Sequence, residues 1–267
     1  MWDFEHLPAS EQLAARYEVE WMLPSECADR LASGTADIGL VPIASLATTG
    51  GLQILPGCTI ASKEQVRSLL LVRRANKSLV DLQSVAADVA SRTTLAYARI
   101  LFHRWGNPDV PFVPMAADLD GMLDRADAAI IIGDPALMAL EERANRFKRT
   151  GEELVYHDLA EEWRKLTGLP FVSAVWCAAA WGGLLDESVA RDFIASRDHG
   201  LANIDALAAE WARKIPLTEE SIRSYFTRNI HYVLDVECAE GMCGFFRMAA
   251  ETGVLPEYSF SMDTLTV

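Results

Sequence analysis

Apolar positions along the first two thirds of the chain fall in short runs separated by segments of helical character. Tyr17, Val19, Trp21 and Leu23 alternate with Glu18, Glu20 and Met22, which is close to the period of two of a half-buried strand. Pro24-Ser25 then opens a short helix, with Ser25 as its candidate N-cap, and Gly34 closes it. The runs Ile38–Val41, which stops at Pro42, Leu69–Val72 and Val85–Asp88 read as strands, the last followed by Ser91 and a helix to about Phe102. Phe112-Val113 marks a further strand, and Ala128–Ile132 is apolar throughout. Gly133-Asp134 leads from it into a helix that begins at Pro135. Asp158 opens a helix that breaks at Thr167-Gly168, and Phe171–Trp176 follows as a buried strand. Strands separated by helices predict an α/β fold with a mainly parallel sheet. After Trp176 the pattern changes, and Asp186–Arg197, Ile204–Lys214, Thr218–Phe226 and Cys238–Ala250 all read as helices.

With 267 residues, 51% of them hydrophobic, the chain can build one large or two modest cores. A formal net charge of −14 argues against nucleic acid and anionic membrane as partners. It leaves a small anionic substrate open, because local donors decide what a pocket holds. No apolar run approaches the ~20 residues of a membrane span, and MWDFEHLPAS has neither the basic nor the apolar region of a secretory signal. The five cysteines, Cys27, Cys58, Cys177, Cys238 and Cys243, form no CxxC pair, which predicts reduced structural thiols in a cytoplasmic protein, the last two as helix positions. No histidine lies in a metal pattern, and no GxGxxG, P-loop or GxSxG element occurs, so nucleotide and serine-hydrolase chemistry lose support.

In open α/β sheets ligands bind beyond the carboxyl ends of the strands. Pro42–Ser45, Ser91–Thr94 and Gly133-Asp134 have that position, and Val66–Ser68 could add to them. Ser91, Arg92, Thr93 and Thr94 offer three hydroxyls, a guanidinium and the free N–H groups of a helix start, a natural seat for a carboxylate. Equally, Ser91 can simply cap the helix while Arg92 is a solvated charge. Asp134 before Pro135 reads as an N-cap, or as a polar group orienting a substrate hydroxyl. A helix start keeps a carboxylate ionised, which favours positioning over the role of principal base. Ser45 and Ser68 are ligand donors or turn and strand positions, and Gly133 allows close backbone approach or only a tight turn. Trp163, Trp176 and His157 read as structural, and Asp3 as a surface residue.

Five blocks carry a resemblance: ADIGLVPIASL (Ala36–Leu46), VRSLLLV (Val66–Val72), SRTT (Ser91–Thr94), IGDPAL (Ile132–Leu137) and DLAEEWRKLTGLPFVSAVW (Asp158–Trp176). In this order, and over nearly the whole chain, they closely resemble the chorismate dehydratase family of the futalosine route to menaquinone. The resemblance implies a two-lobed type II periplasmic-binding-protein-like fold. A discontinuous lobe of residues 1–70 plus 177–267 would carry an inserted lobe of residues 71–176. It also implies that the family's first strand is lacking here, and with it a catalytic Asn. The implied reaction converts chorismate to 3-[(1-carboxyvinyl)oxy]benzoate and water, with no metal or organic cofactor. Ser45, Ser68, Ser91, Arg92, Thr93, Thr94, Gly133 and Asp134 would line the substrate cleft. No residue is marked as the general base, and Asp134 is the one candidate. Three other readings remain: a non-catalytic small-molecule-binding protein of the same fold, the related enzyme that forms 1,4-dihydroxy-6-naphthoate, and an inactive paralogue. No signal for an oligomeric state is present.

Overall fold

A computed structural model describes residues 1–88, 91–180 and 186–260. Among the described residues, eight strands form two sheets. β1 (Ile38–Pro42), β2 (Leu52–Ser62) and β8 (Phe171–Ala179) make a three-stranded sheet in the order β1-β8-β2. β3 (Leu69–Arg74), β4 (Val85–Ala87), β5 (Phe112–Pro114), β6 (Ala128–Ile132) and β7 (Leu154–Asp158) make a five-stranded sheet in the order β5-β4-β6-β3-β7. The chain therefore enters the second sheet after Ser62 and returns to the first at Phe171. Residues 181–185 and 261–267, part of the segment assigned to the discontinuous lobe, lie outside the described residues.

The strands read most easily from the sequence are those covered on both faces. Leu69–Val72 and Ala128–Ile131 are buried at every position, which is why they are continuous apolar runs rather than alternating ones. The expectation of a mainly parallel sheet is corrected. β4 pairs parallel with β5 and β6, but the other four pairings, β1–β8, β2–β8, β3–β6 and β3–β7, are antiparallel. β3 and β8 are the strands by which the chain enters each sheet from the other, and they run against their neighbours. That long-range geometry has no local signature.

Several ends follow their residues. Gly34 and Gly168 both adopt φ 73° and close their helices. Ser91 Oγ accepts the Thr94 N–H at 3.2 Å, and Asp158 accepts those of Ala160 and Glu161 at 3.0 and 3.1 Å. Ser25 is not a cap: the helix runs Pro24–Ser33 from an N-cap at Leu23, whose N–H is accepted by the Glu26 carboxylate at 3.1 Å. Asp134 is not a cap either. The helix Asp134–Thr150 begins on it, and Gly133 takes the cap position with φ 73° and ψ −143°, a conformation open to glycine.

Tyr17–Leu23 is not a strand. Among the described residues, no backbone hydrogen bond is made by residues 18–22, and Trp21 is 72% exposed. Alternation becomes a strand only where a partner backbone lies alongside. Asp3 also differs from expectation, because it is buried: its N–H donates to Ser196 Oγ at 3.0 Å and its carboxylate takes His199 Nδ1 at 2.8 Å. The largest core cluster is mainly aliphatic and contains a group of packed aromatic rings. Tyr97 stacks on Phe171 with ring centroids 3.8 Å apart, meets Phe245 at 4.3 Å and Trp163 edge-on at 4.8 Å. These rings come from the helices Arg92–Arg104, Leu159–Thr167 and Val236–Glu251 and from β8, so one core ties both halves together. Trp163 is fully buried, as the sequence predicts, and its indole N–H donates to the Pro170 carbonyl at 3.1 Å.

Candidate functional site

β1 ends at Pro42 and the chain turns at once into the short helix Ile43–Leu46. The helix Arg92–Arg104 starts beside it. Here the two halves touch directly: the buried Ala44 N–H donates to Thr93 Oγ1 at 3.1 Å. Thr93, Thr94 and Ser45 are all buried at this seam. Thr94 Oγ1 donates to Ser91 Oγ at 3.0 Å, so Ser91 both caps the helix and orders its neighbour. Ser45 Oγ, by contrast, is fully buried and has no hydrogen-bond partner among the described residues. A buried orphan hydroxyl costs roughly 1–3 kcal/mol and demands an explanation, and a ligand is one. Arg92 does not point at the seam: its guanidinium sits 3.0 Å from the Asp29 carboxylate, on the surface of the helix Pro24–Ser33.

A second cluster forms where the chain first crosses. The Gly133 N–H donates to the Ser68 carbonyl at 2.7 Å, which sets Ser68 beside the start of the helix that Asp134 opens. Ser68 is buried and Asp134 is exposed. Sequence reasoning missed two further members. Tyr225, at the start of a single π-helical turn (Tyr225–Asn229), donates its phenol to Ser68 Oγ at 2.9 Å. Burial pushes that phenol up from its ordinary value, and the Asp134 carboxylate adds to the shift. Asp158 is the other. Besides capping its own helix it accepts the N–H groups of Val66 and Arg67 at 3.2 and 2.5 Å, clamping the crossing where Arg67 adopts φ 63°. A π-helical turn is one of the few local marks of function, but nothing in the sequence announces it.

Neither of two cavities holds the predicted hydroxyls. A channel of about 760 Å³ runs between residues 17–22 and the free side of β1, lined by Trp21, Leu40, Trp176, Phe193 and Tyr232 among others, and by none of the predicted site residues. A polar cavity of about 490 Å³ lies between Arg67, Glu141, Arg143, Tyr156 and Asp158. With Ala44 bonded to Thr93, a ligand between the loops 42–45 and 91–94 requires them to part.

Among the described residues, His231, Asp235 and Cys238 bring possible metal-ligating atoms within 4.8 Å of one another. The Lys63 ammonium already lies 2.7 Å from Asp235, and His231 Nε2 lies 3.0 Å from the same oxygen, so the carboxylate is satisfied without an ion. Burial alone would raise the Asp235 carboxyl, but hydrogen bonds from Lys63 and the Cys238 N–H outweigh it and hold it down at about 2. A depressed acid stabilises the fold above its unfolded value of 3.8 and loses that contribution as pH falls through about 2. Asp235→Asn is therefore expected to be less stable than the parent at neutral pH, with the gap closing as the pH falls from 4 towards 2. Denaturant titrations at both ends of that range test it, and a gap independent of pH would contradict it.

Two sheets, with the chain crossing between them and helices around, define a two-lobed α/β protein of the periplasmic-binding-protein fold. The solved structures similar to this chain have that fold. Protein AF1704 from Archaeoglobus fulgidus matches with a TM-score of 0.68 at 16% identity, over 90% of this chain and 87% of that one. The periplasmic aliphatic sulphonate binding protein SsuA from Escherichia coli matches with a TM-score of 0.60 at 15% identity, over 93% and 83%. A Candida albicans protein, CA3427, described as exhibiting the generic periplasmic binding protein fold, matches with a TM-score of 0.58 at 14% identity, over 92% and 82%. At these identities the likeness is one of fold. Residues 2–251 match the model of a family described as menaquinone biosynthesis, and the chain belongs to that family, in agreement with the resemblance read from its motifs. No helix among the described residues is long and apolar enough to cross a membrane.

Proposed function

We propose that this protein is a chorismate dehydratase, a carbon–oxygen lyase of the futalosine route to menaquinone, acting in the cytoplasm. The observation that carries the reading is the seam itself. Across it the Ala44 N–H of one half meets the Thr93 hydroxyl of the other, and the hydroxyl of the adjoining Ser45 is buried without a partner among the described residues. The menaquinone family membership supplies the pathway. In this reading one lobe is built on the sheet β1-β8-β2 and the other on β5-β4-β6-β3-β7, so the expected bounds of 71 and 176 move to the crossings that precede Leu69 and Phe171. Chorismate enters as they part. Ser45, Thr93, Thr94 and Ser91 donate to one carboxylate, and Ser68 with the Gly133-Asp134 turn faces the other end of the substrate. Arg92 joins them by leaving Asp29. Elimination removes the proton on ring carbon 3 and expels the 4-hydroxyl as water, leaving an aromatic ring. Fixed donors on the carboxylates stabilise the charge that develops, and reclosure keeps solvent out.

The test is incubation of the protein with chorismate while the ultraviolet spectrum is followed. Growth of aromatic absorbance supports the reading, and a spectrum that never changes opposes it. A second reading, a non-catalytic binder of small anions, draws on the sulphonate-binding relative and on Arg92 being held by Asp29. It predicts that chorismate is bound and recovered unchanged.

A further inference from the structure

Ser68 and Tyr225 lie 157 positions apart, and the fold brings their hydroxyls to 2.9 Å. The direction of that bond matters. Tyr225 donates and Ser68 Oγ accepts, so the Ser68 hydroxyl hydrogen must find its own acceptor, and none is present among the described residues. A serine oxygen that already accepts one bond can place its hydrogen in only the remaining staggered positions. Ser68 is itself held on its backbone side by the Gly133 N–H on its carbonyl. Tyr225 is held equally firmly. It begins the π-helical turn, its carbonyl accepts the Ile230 N–H, and Asn229 at the end of the turn is buried and donates to the Gln65 carbonyl at 2.9 Å. Both ends of the pair are thus anchored to the first crossing, beside Gly133-Asp134.

We infer that Tyr225 is a positioning residue of the substrate site: by donating to Ser68 it turns the Ser68 hydroxyl into a directed donor for a carboxylate oxygen of the ligand. The inference rests on the functional reading above for the identity of that ligand, and on geometry alone for the relay. A phenol in this position does more than fill space. It withdraws electron density from the serine oxygen and strengthens the donor on the far side, as successive hydrogen bonds polarise one another. Phenylalanine would fill much the same space but give Ser68 Oγ no donor, leaving its hydroxyl hydrogen undirected.

The test is calorimetric titration of chorismate, and separately of benzoate as a simple aromatic carboxylate. The proteins are the parent, Tyr225→Phe, Ser68→Ala, the double variant and Ser68→Thr. Each of the first two substitutions is expected to weaken binding about tenfold, and the double variant also about tenfold, because both remove one interaction. Ser68→Thr keeps the hydroxyl and is expected to bind as the parent does. A purely structural tyrosine would not produce this non-additivity or this rescue. Parent-like binding by Tyr225→Phe, or a double variant that loses the product of the two single effects, would overturn the relay. If Tyr225→Phe does not fold, parent-like binding by Ser68→Ala does the same. A parent that binds benzoate but not chorismate ends the dehydratase reading and leaves the relay to be decided on benzoate. A parent that binds neither overturns the relay as well.

Discussion

Asp158→Ala is expected to be the most destabilising single change near the crossings, by about 3–5 kcal/mol, with a fall in melting temperature of roughly 10 °C. One carboxylate accepts four backbone N–H groups: those of Ala160 and Glu161 at the start of its own helix, and those of Val66 and Arg67 on the first crossing. Removing it takes away a helix cap, worth about 1 kcal/mol, and leaves buried donors on the crossing unpaired at about 1–3 kcal/mol each. It also releases Arg67, whose φ of 63° is sparsely populated for a residue with a side chain and persists only while its surroundings hold it. Thermal denaturation of the parent, Asp158→Ala and Asp158→Asn measures this. The Asn variant, which can still accept at the cap, is expected to fall between the other two. A loss below about 1 kcal/mol for the alanine variant would mean that the crossing is held elsewhere.

Thr93→Val is expected to lower kcat/KM for chorismate about a hundredfold while the protein stays folded. Valine has nearly the shape of threonine, so the buried helix start keeps its packing. What is lost is the hydroxyl at the seam, both as an acceptor for the Ala44 N–H and as a donor to the substrate carboxylate. A hydrogen bond to a charged group is worth about 1.5–3 kcal/mol, which corresponds to a fold-change of that order. Arg92→Ala is expected to weaken binding less, because Arg92 must first leave Asp29. Its exposed pair with that residue contributes at most about 1 kcal/mol to stability. Steady-state kinetics with a melting curve for each variant separate the two effects. Full activity in Thr93→Val would remove the seam from the substrate site.

Where a residue's role is set by its neighbours in the chain, the sequence was a good guide. Ser91 and Asp158 cap the helices they precede, Gly34 and Gly168 end theirs, and β6 has the bounds of its apolar run. Where the partner is distant, it was not. No strand is read from the sequence over Leu52–Ser62, where β2 contains Pro56-Gly57, is irregular between Ile54 and Thr59, and goes on pairing with β8. Tyr17–Leu23 has the alternation of a strand and no backbone beside it. The direction of β3 and β8 follows from where the chain comes from, which periodicity does not encode. The same division runs through the candidate site. The hydroxyl-rich helix start at Ser91–Thr94 was visible as chemistry, and Asp158 as a cap. That Thr93 meets Ala44, that Arg92 turns to Asp29, and that Tyr225 reaches Ser68 are all consequences of the fold.

The mass spectrum of chorismate after incubation with the purified protein decides most directly between a dehydratase and a binding protein. A dehydratase gives a product lighter than chorismate by one water, formed with the parent and much more slowly with Thr93→Val. Chorismate recovered intact from a folded protein that binds it would contradict the dehydratase and leave a binding protein in its place.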